Sequence, residues 1–260
     1  YFLGRRQGVL AAVVAVLMVT IYAVLNPGVF APSMADTPEL SLFLWGAFTI
    51  LTAFVVGTLY DMKTTAVSDL KQAYEGILEI LAKFIDAVDK YTNDHSVRVA
   101  DLAAKIALVL NLPNEEIENI RVSGLLHDIG KVDLSLEVLR KASSLNDEEW
   151  AHVKTHTKKG RQLLSPVGGL LRDVVPLVEC HHENFDGSGY QGMAGEDIPL
   201  GARILAVADA YDSMITDRPY RTGRTPVEAM SEVERCAGSQ FDPVVVEAFK
   251  TVMKVQAERS

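Results

Sequence analysis

Two long runs of apolar residues open the chain, and neither contains a charged side chain. The first extends from Gln7 to Ala35 and the second from Leu40 to Tyr60. Because an α-helix rises about 1.5 Å per residue, helices over residues 8–25 and 41–60 would be long enough to cross the hydrocarbon core of a bilayer. The pattern therefore predicts a transmembrane hairpin within residues 1–62.

The charges that flank the two runs predict the orientation of this hairpin. Basic residues lie on its outer flanks and only acidic residues lie in the loop between the runs: Arg5, Arg6 and Lys63 outside, Asp36 and Glu39 between. Since Lys and Arg favour the cytoplasmic side, we expect an inner or cell membrane protein with two spans and with residues 63–260 in the cytoplasm. A signal peptide ending near Ala35 is the alternative, but the apolar region is long for one and a second run follows it. The first residue is Tyr rather than Met, as expected of a chain that lacks upstream sequence.

A second hydrophobic pattern follows, with apolar residues spaced alternately three and four apart. Its positions are Val67, Leu70, Tyr74, Ile77, Leu81, Phe84 and Val88. Three heptads in register permit a parallel coiled coil between two copies, so residues 63–90 are predicted to form a helical connector and to support a homodimer. The alternative is a helix that packs this stripe on its own domain, because Leu78, Ile80 and Ile85 widen the apolar face. The sequence leaves both interpretations open.

The remaining residues show helical patterns throughout, without the alternation that indicates strands. Asn146 precedes three acidic residues, and the pairs Thr225-Pro226 and Asp242-Pro243 each place a capping residue before a proline that suits a first helical turn. A glycine-rich loop at residues 186–195 is the main irregular segment. The sequence therefore predicts an all-α fold, in which the transmembrane hairpin is followed by a helical bundle.

Charge and cysteine content exclude several classes of protein. The charges of the first 60 residues cancel, so the formal net charge of −9 belongs to residues 61–260. An acidic domain repels nucleic-acid backbones, and neither DNA nor RNA is expected as a partner. Cys180 and Cys236 are the two cysteines of the chain, which argues against a zinc finger or a disulfide-rich secreted fold.

Candidate metal ligands recur along the bundle. His127 and Asp128 are adjacent at an expected helix end, and further candidates follow at His156, His181, His182 and Asp209. Imidazole and carboxylate groups suit divalent iron, manganese or zinc. A single histidine on a helix is more often structural, but six candidate ligands together indicate a metal site.

The motifs around these residues resemble a known family. Residues 125–131 (LLHDIGK) resemble the His-Asp motif of the helical HD-type phosphohydrolases, and residues 181–190 (HHENFDGSGY) resemble the signature of the HD-GYP subfamily. Its known members are cyclic di-GMP phosphodiesterases. The resemblance covers roughly residues 88–250 and includes residues 91–96, 206–212 and 217–221. It implies a catalytic domain over residues 91–260.

The resemblance also implies roles for individual residues. Six positions match family metal ligands: His127, Asp128, His156, His181, His182 and Asp209. Asp128 is expected to bridge two ions and to be catalytic, and His95 matches a histidine that some members use as a further ligand. Members with a third metal have a glutamate where this chain has Tyr91, so two divalent ions are expected, with iron or manganese ahead of zinc. His152 matches no ligand and is expected at the surface.

The implied reaction is hydrolysis of cyclic di-GMP to the linear dinucleotide, with GMP as a further product. Two metal ions would activate a shared water for attack on phosphorus. Lys131 is expected to contact the phosphate or assist the leaving group, although it could instead interact with carbonyls at a helix end. Arg218 and Arg221 are expected to bind the substrate phosphates or guanine. Another cyclic dinucleotide or nucleotide, or a binding module that has lost turnover, are the alternatives.

One departure from the subfamily pattern concerns the loop. Gln191 stands where the subfamily has proline after Gly-Tyr, and proline would stiffen the loop and remove an amide donor. No metal ligand is lost, so activity is expected to survive. The loop Gly189-Tyr190-Gln191 remains a candidate contact for a signalling protein.

Overall fold

All regular elements in the described parts of the chain are helices. The computed structural model describes residues 4–26, 38–88, 94–135, 146–217 and 222–258. Across these ranges, the β-type pairing is limited to an isolated bridge between Ala237 and Phe241. The all-α prediction is therefore confirmed. The chain divides into two compact units, Tyr1–Glu75 and Gly76–Ser260.

The first unit pairs two apolar helices, α1 (Arg5–Leu25) and the first part of α2 (Pro38–Val88). The backbone N–H of Arg5 donates to a carboxylate oxygen of Asp61 at 3.0 Å. A Cβ added to Gly57 would lie 2.6 Å from the Cα of Arg5, so a glycine is required where the two backbones approach. Most apolar side chains of both helices are exposed, and both helices are long and apolar enough to cross a membrane.

The second unit contains the last turns of α2 and eight further described helices. These are α3 (His95–Val109), α4 (Asn114–Leu126), α5 (Asp147–Lys154), α6 (His156–Leu164), α7 (Val175–Cys180), α8 (Leu200–Ile215), α9 (Pro226–Arg235) and α10 (Pro243–Ala257). Short 3₁₀ helices lie at Ile129–Asp133, Ser165–Leu171 and Gly195–Asp197. The core lies mainly between α3, α8 and α10, where Ile106, Val207 and Phe249 are fully buried.

Three helices of this unit begin at capping residues that the sequence indicates, Asn146, Thr225 and Asp242. The side chains of Asn146 and Thr225 both form capping boxes, with Glu149 and Glu228 respectively. Asp242 accepts the backbone N–H of Val244 at 2.8 Å. These caps satisfy backbone donors that a helix leaves unpaired, and they fix where α5, α9 and α10 start.

The end of α2 divides its apolar residues between two faces. Leu78, Ala82 and Ile85 are buried within the second unit, as expected of a helix that packs on its own domain. The heptad positions Ile77 and Phe84 are 58% and 64% exposed. The two interpretations of the connector thus concern different faces of one helix, and the exposed face keeps the heptad spacing.

Candidate metal centre

The candidate ligands converge from five separate elements of the second unit. They fall into three overlapping groups in which all ligand atoms lie within 4.8 Å of one another: His156, His181 and His182; His95, His127 and Asp209; and His127, Asp128 and His181. The structure therefore brings together the six predicted ligands and also His95. Residues more than 100 positions apart in sequence meet here because α3, α4, α6, α7 and α8 direct their ends or one face to a common point.

Three of these imidazoles are oriented by a nearby backbone carbonyl. In each case Nδ1 lies 2.7 Å from the carbonyl oxygen three residues earlier: Gly124 for His127, Val153 for His156 and Val178 for His181. A carbonyl oxygen only accepts, so the ring must carry its proton on Nδ1. This fixes the tautomer and leaves the lone pair on Nε2, the arrangement that metal-binding histidines commonly adopt.

The other nitrogen of each of these rings is buried and has no hydrogen-bond partner among the described residues. These atoms are Nε2 of His127, His156 and His181. An unpaired buried acceptor costs about 1–3 kcal/mol, and three such atoms aimed at one place are difficult to explain by packing alone. A divalent cation would satisfy them, so the donor set fits a metal.

Asp128 lies between two of the rings, with one oxygen toward each. Its Oδ2 is 3.3 Å from Nε2 of His127, and its Oδ1 is 3.5 Å from Nε2 of His156. Lys131 Nζ lies 2.6 Å from Oδ2. Burial opposes ionisation, but the positive charge of Lys131 outweighs it and holds the pKa of Asp128 well below its ordinary value. The carboxylate is therefore anionic, and its two oxygens suit a bridge between ions.

His95 connects the centre to Asp212, a carboxylate to which the sequence analysis gave no role. Its Nε2 lies 3.3 Å from Asp209, and its Nδ1 lies 2.7 Å from Asp212. Asp212 also accepts two hydrogen bonds from Arg98, at 2.6 and 2.9 Å. Burial disfavours the charged form of His95, yet Asp209 and Asp212 outweigh it and raise the pKa to about 10. Asp212 thus orients His95 from outside the ligand set.

The rings of His181 and His182 lie in an environment that favours the neutral form. Burial lowers the pKa of His181 well below its ordinary value, and the neighbouring histidines lower it further. Burial also lowers the pKa of His182 to about 4. A metal binds neutral imidazole, so both rings are in the form that coordination requires.

Gly130 allows the 3₁₀ helix that follows Asp128 to lie directly on α6. A Cβ at this position would overlap the carbonyl oxygen of His156 and would lie 2.6 Å from the backbone nitrogen of Gly160. A side chain here would separate Asp128 from His156. The glycine of the LLHDIGK motif is therefore part of what places the carboxylate between the rings.

The loop after His182 is held by the buried carboxylate of Glu183. It accepts the backbone N–H of Gln191 at 2.8 Å and that of Met193 at 3.0 Å. The Gln191 side chain donates to the carbonyl of Glu179 at 3.1 Å. Gln191 therefore makes a backbone hydrogen bond that a proline at this position could not make.

A cavity of about 380 Å³ opens beside this loop. His181, His182 and Asp209 line it from the metal centre, and Trp150, Lys154 and Tyr190 line it from the outside. The rings of His182 and Tyr190 are 4.8 Å apart between centroids, and Lys154 Nζ lies 5.4 Å from the centroid of Tyr190. The cavity thus combines aromatic faces and a cation next to the candidate ligands.

Arg218, Arg221 and Tyr91, to which the sequence analysis gave a role, are outside the described residues. His152 is exposed on α5. The sequence analysis gave no role to Asp212 or Glu183. The only indication of a role is their position near candidate ligands: Asp212 lies three residues after Asp209 on one helix, and Glu183 directly follows the paired histidines.

Comparison with known proteins gives a consistent match. The family model described as "HD domain" matches residues 79–245. A cyclic di-GMP phosphodiesterase of Thermotoga maritima is 36% identical over 180 residues, which are 68% of this chain and 49% of that protein. A 3′3′-cGAMP-specific phosphodiesterase of Vibrio cholerae is 35% identical over 191 residues, which are 72% of this chain and 41% of that protein.

A solved structure supports the fold. The crystal structure of a cyclic GMP-AMP-specific phosphodiesterase of Vibrio cholerae matches with a TM-score of 0.56 at 21% identity, over 68% of this chain and 48% of that one. The chain spans half or less of the length of the curated relatives named above.

Proposed function

The chain belongs to the HD domain family, and from this membership we propose that it is a metal-dependent phosphodiesterase of the HD-GYP type that opens cyclic di-GMP to the linear dinucleotide. The observation that carries the proposal is the set of three buried, unpaired Nε2 atoms of His127, His156 and His181 around the Asp128 carboxylate. A second hydrolysis of the linear product would give GMP.

Two divalent ions fit the donor groups. His156, His181 and His182 would hold one, and His127, Asp209 and a deprotonated His95 the other, with Asp128 shared between them. Imidazole with carboxylate suits iron or manganese, and zinc after them. Bound there, the ions would neutralise phosphate oxygens and lower the pKa of a water between them.

The protein groups around the ions have their own tasks in this reaction. The Nδ1 hydrogen bonds hold the rings in place, so that no rearrangement is needed when the substrate binds. Lys131 brings a positive charge to the edge of the centre, where it would contact the phosphate or stabilise the departing ribose oxygen. Arg218 and Arg221 are proposed to hold the far phosphate or a guanine edge.

Two cyclic dinucleotides, cyclic di-GMP and 3′3′-cGAMP, are candidate substrates of this site. The relatives named for cyclic di-GMP and for 3′3′-cGAMP are about equally similar to this chain, at 36% and 35% identity. The two substrates differ in one base, and both contain the phosphodiester that the metal centre would attack. We propose cyclic di-GMP as the substrate, with 3′3′-cGAMP as the alternative.

A substrate panel tests the function directly. The full chain, purified in detergent without air and loaded with Mn²⁺ or Fe²⁺, is assayed against cyclic di-GMP, 3′3′-cGAMP and cyclic di-AMP at equal concentrations. Cyclic di-GMP should give the highest kcat/KM and the linear dinucleotide as first product. A higher value for 3′3′-cGAMP would favour the alternative. Tight binding of cyclic di-GMP with no product after prolonged incubation would favour a binding module without turnover.

We also propose that α1 and the first part of α2 anchor the protein in the inner or cell membrane, with the catalytic domain in the cytoplasm. Exposed apolar side chains on both helices and the basic residues at Arg5, Arg6 and Lys63 support this. Membrane fractionation tests the anchor. External protease on intact cells should leave the catalytic domain uncut.

The exposed heptad face of α2 supports a homodimer through the connector. Ile77, Leu81 and Phe84 are all exposed on one face, at a spacing that suits a parallel coiled coil. Leu81→Glu should therefore turn a dimer into a monomer in sedimentation experiments in detergent.

The loop Gly189–Gln191 is proposed as a contact for a signalling protein, since Gln191 is exposed next to the cavity.

A further inference from the structure

The first turn of α3 is capped by a residue of another helix. The N-cap residue of α3, Asp94, has a left-handed backbone with φ of 55° and makes no capping hydrogen bond within the described chain. Asp86, in the last turn of α2, accepts the backbone N–H of Ser96 at 3.1 Å and its hydroxyl at 2.7 Å. A carboxylate at a helix N-terminus satisfies an otherwise unpaired donor and interacts favourably with the helix dipole.

This contact is buried on both sides. Asp86 is 4% exposed and Ser96 is fully buried, so water does not compete for the two hydrogen bonds. Leu78, Ala82 and Ile85 of the same helix are also buried. The last turns of α2 therefore hold Asp86 firmly against the start of α3.

Ser96 directly follows His95, the first residue of α3. The rings of His127, His156 and His181 are fixed by carbonyls three residues earlier in the chain. His95 stands at the start of its helix, and its Nδ1 instead contacts Asp212 at 2.7 Å. The place of its ring relative to Asp209 therefore depends on where the backbone of the first turn of α3 lies.

We infer that Asp86 is a positioning residue for His95, and that it makes the His95 side of the metal centre depend on the placement of the last turn of α2. The inference rests on the metal centre of the proposed function. A rotation or shift of this turn would withdraw the acceptor from Ser96 and move His95 away from Asp209. The connector helix would thereby control how well the centre holds its second ion.

Two variants and a matched control test this. Asp86→Asn keeps the size of the side chain, but its NH2 group donates and cannot accept, so the amide cannot receive both donors of Ser96 on two oxygens as the carboxylate does. Ser96→Ala removes only the hydroxyl bond. The control, Lys83→Ala, breaks the exposed pair of Lys83 with Asp94 at 3.7 Å and leaves Ser96 untouched. All three are made in the full chain and purified in detergent.

The probe is Co²⁺, titrated into metal-free protein and followed by its visible absorption, which reports the coordination geometry. Changes in groups that orient ligands typically cost about 10–100-fold in metal affinity or activity. Asp86→Asn should weaken binding of the second Co²⁺ at least about 10-fold and alter its spectrum, and Ser96→Ala should shift both in the same direction by less. Lys83→Ala should match the wild type, and the helix content of all variants should be unchanged.

Wild-type Co²⁺ affinity and spectrum in Asp86→Asn would overturn the inference, as would equal changes in Asp86→Asn and Lys83→Ala. If Asp86→Asn does not fold, Ser96→Ala decides, and a wild-type spectrum in that variant overturns the inference. The Co²⁺ readout is independent of turnover. A wild-type chain that binds Co²⁺ but hydrolyses no cyclic dinucleotide would refute the proposed function, while the Co²⁺ spectra of the variants would still decide the role of Asp86.

Discussion

The ammonium nitrogen of Lys131 lies 2.6 Å from Oδ2 of Asp128, three residues away on the same short helical segment. The pair places a positive and a negative group side by side at the centre of the buried histidines. Asp128 is nearly fully buried, whereas the Lys131 side chain is partly exposed. The lysine is therefore the member of the pair that can reach a substrate.

Asp128→Asn should abolish turnover. The amide cannot offer two anionic oxygens to two ions, so metal binding as well as activity should fall. The measurements are the metal content after purification without air and hydrolysis of cyclic di-GMP. Asp133→Asn is the matched control, because Asp133 lies on the same 3₁₀ helix but is exposed. Retained hydrolysis in Asp128→Asn would disprove its catalytic role.

Lys131→Met should lower kcat on cyclic di-GMP by about 10²-fold or more, the size expected for loss of a group that assists a leaving oxygen. The loss should be smaller with bis(p-nitrophenyl) phosphate, whose leaving group needs no such help. Lys159→Met is the control, since Lys159 contacts Asp133 at the outer side of the same segment. Equal losses with both substrates would instead indicate that Lys131 acts mainly on the phosphate or on Asp128.

Gly130→Ala should destabilise the domain by about 1–3 kcal/mol, as overpacking of a close contact typically does. The new methyl group would meet the carbonyl of His156, and the strain would also move Asp128 relative to the rings. Thermal unfolding of the metal-free protein measures the first effect and Mn²⁺ affinity the second. Gly169→Ala, where a Cβ meets no atom of the described chain within 4 Å, should leave both unchanged.

Gln191→Pro restores the residue of the subfamily signature but should destabilise this loop by about 1–3 kcal/mol, the cost of leaving a buried acceptor without its donor. Glu183 would lose the Gln191 N–H, and Glu179 would lose the side-chain donor. Gln191→Ala keeps the backbone hydrogen bond to Glu183 and removes only the side-chain hydrogen bond to Glu179. The two effects can therefore be measured separately. A melting temperature of Gln191→Pro at or above that of the wild type would show that the loop re-forms without this bond.

The fold class and the ligand residues of the site could be predicted from the sequence, because both depend on local sequence patterns. Apolar runs, caps and helical spacing identify the helices, and Asn146, Thr225 and Asp242 mark starts that the structure confirms. The LLHDIGK motif identifies His127 and Asp128 as candidate metal ligands. That these residues share one centre with His181, more than 50 residues later, depends on the packing of α4 and α7.

The residues that support the ligands were not predictable in the same way. Asp86 and Asp212 are ordinary acidic residues on helices, and nothing in their spacing identifies Ser96 or His95 as their partners. Each contact joins residues of separate helices, 10 positions apart for Asp86 with Ser96 and 117 for His95 with Asp212. Such pairs become visible only when the helices are packed, because burial decides which carboxylate needs a partner.

The orientation of the three histidines by carbonyls three residues earlier in the chain has a consequence for protein engineering. The direction of each lone pair is set within four consecutive residues, at a helix end or turn, and needs no supporting side chain from elsewhere in the fold. To transplant these three rings, a designer would have to reproduce the positions of three backbone segments rather than a network of distant hydrogen bonds. The surroundings of Asp128, held by Gly130 against one of those segments, and of His95, held by Asp212, would have to be copied with them.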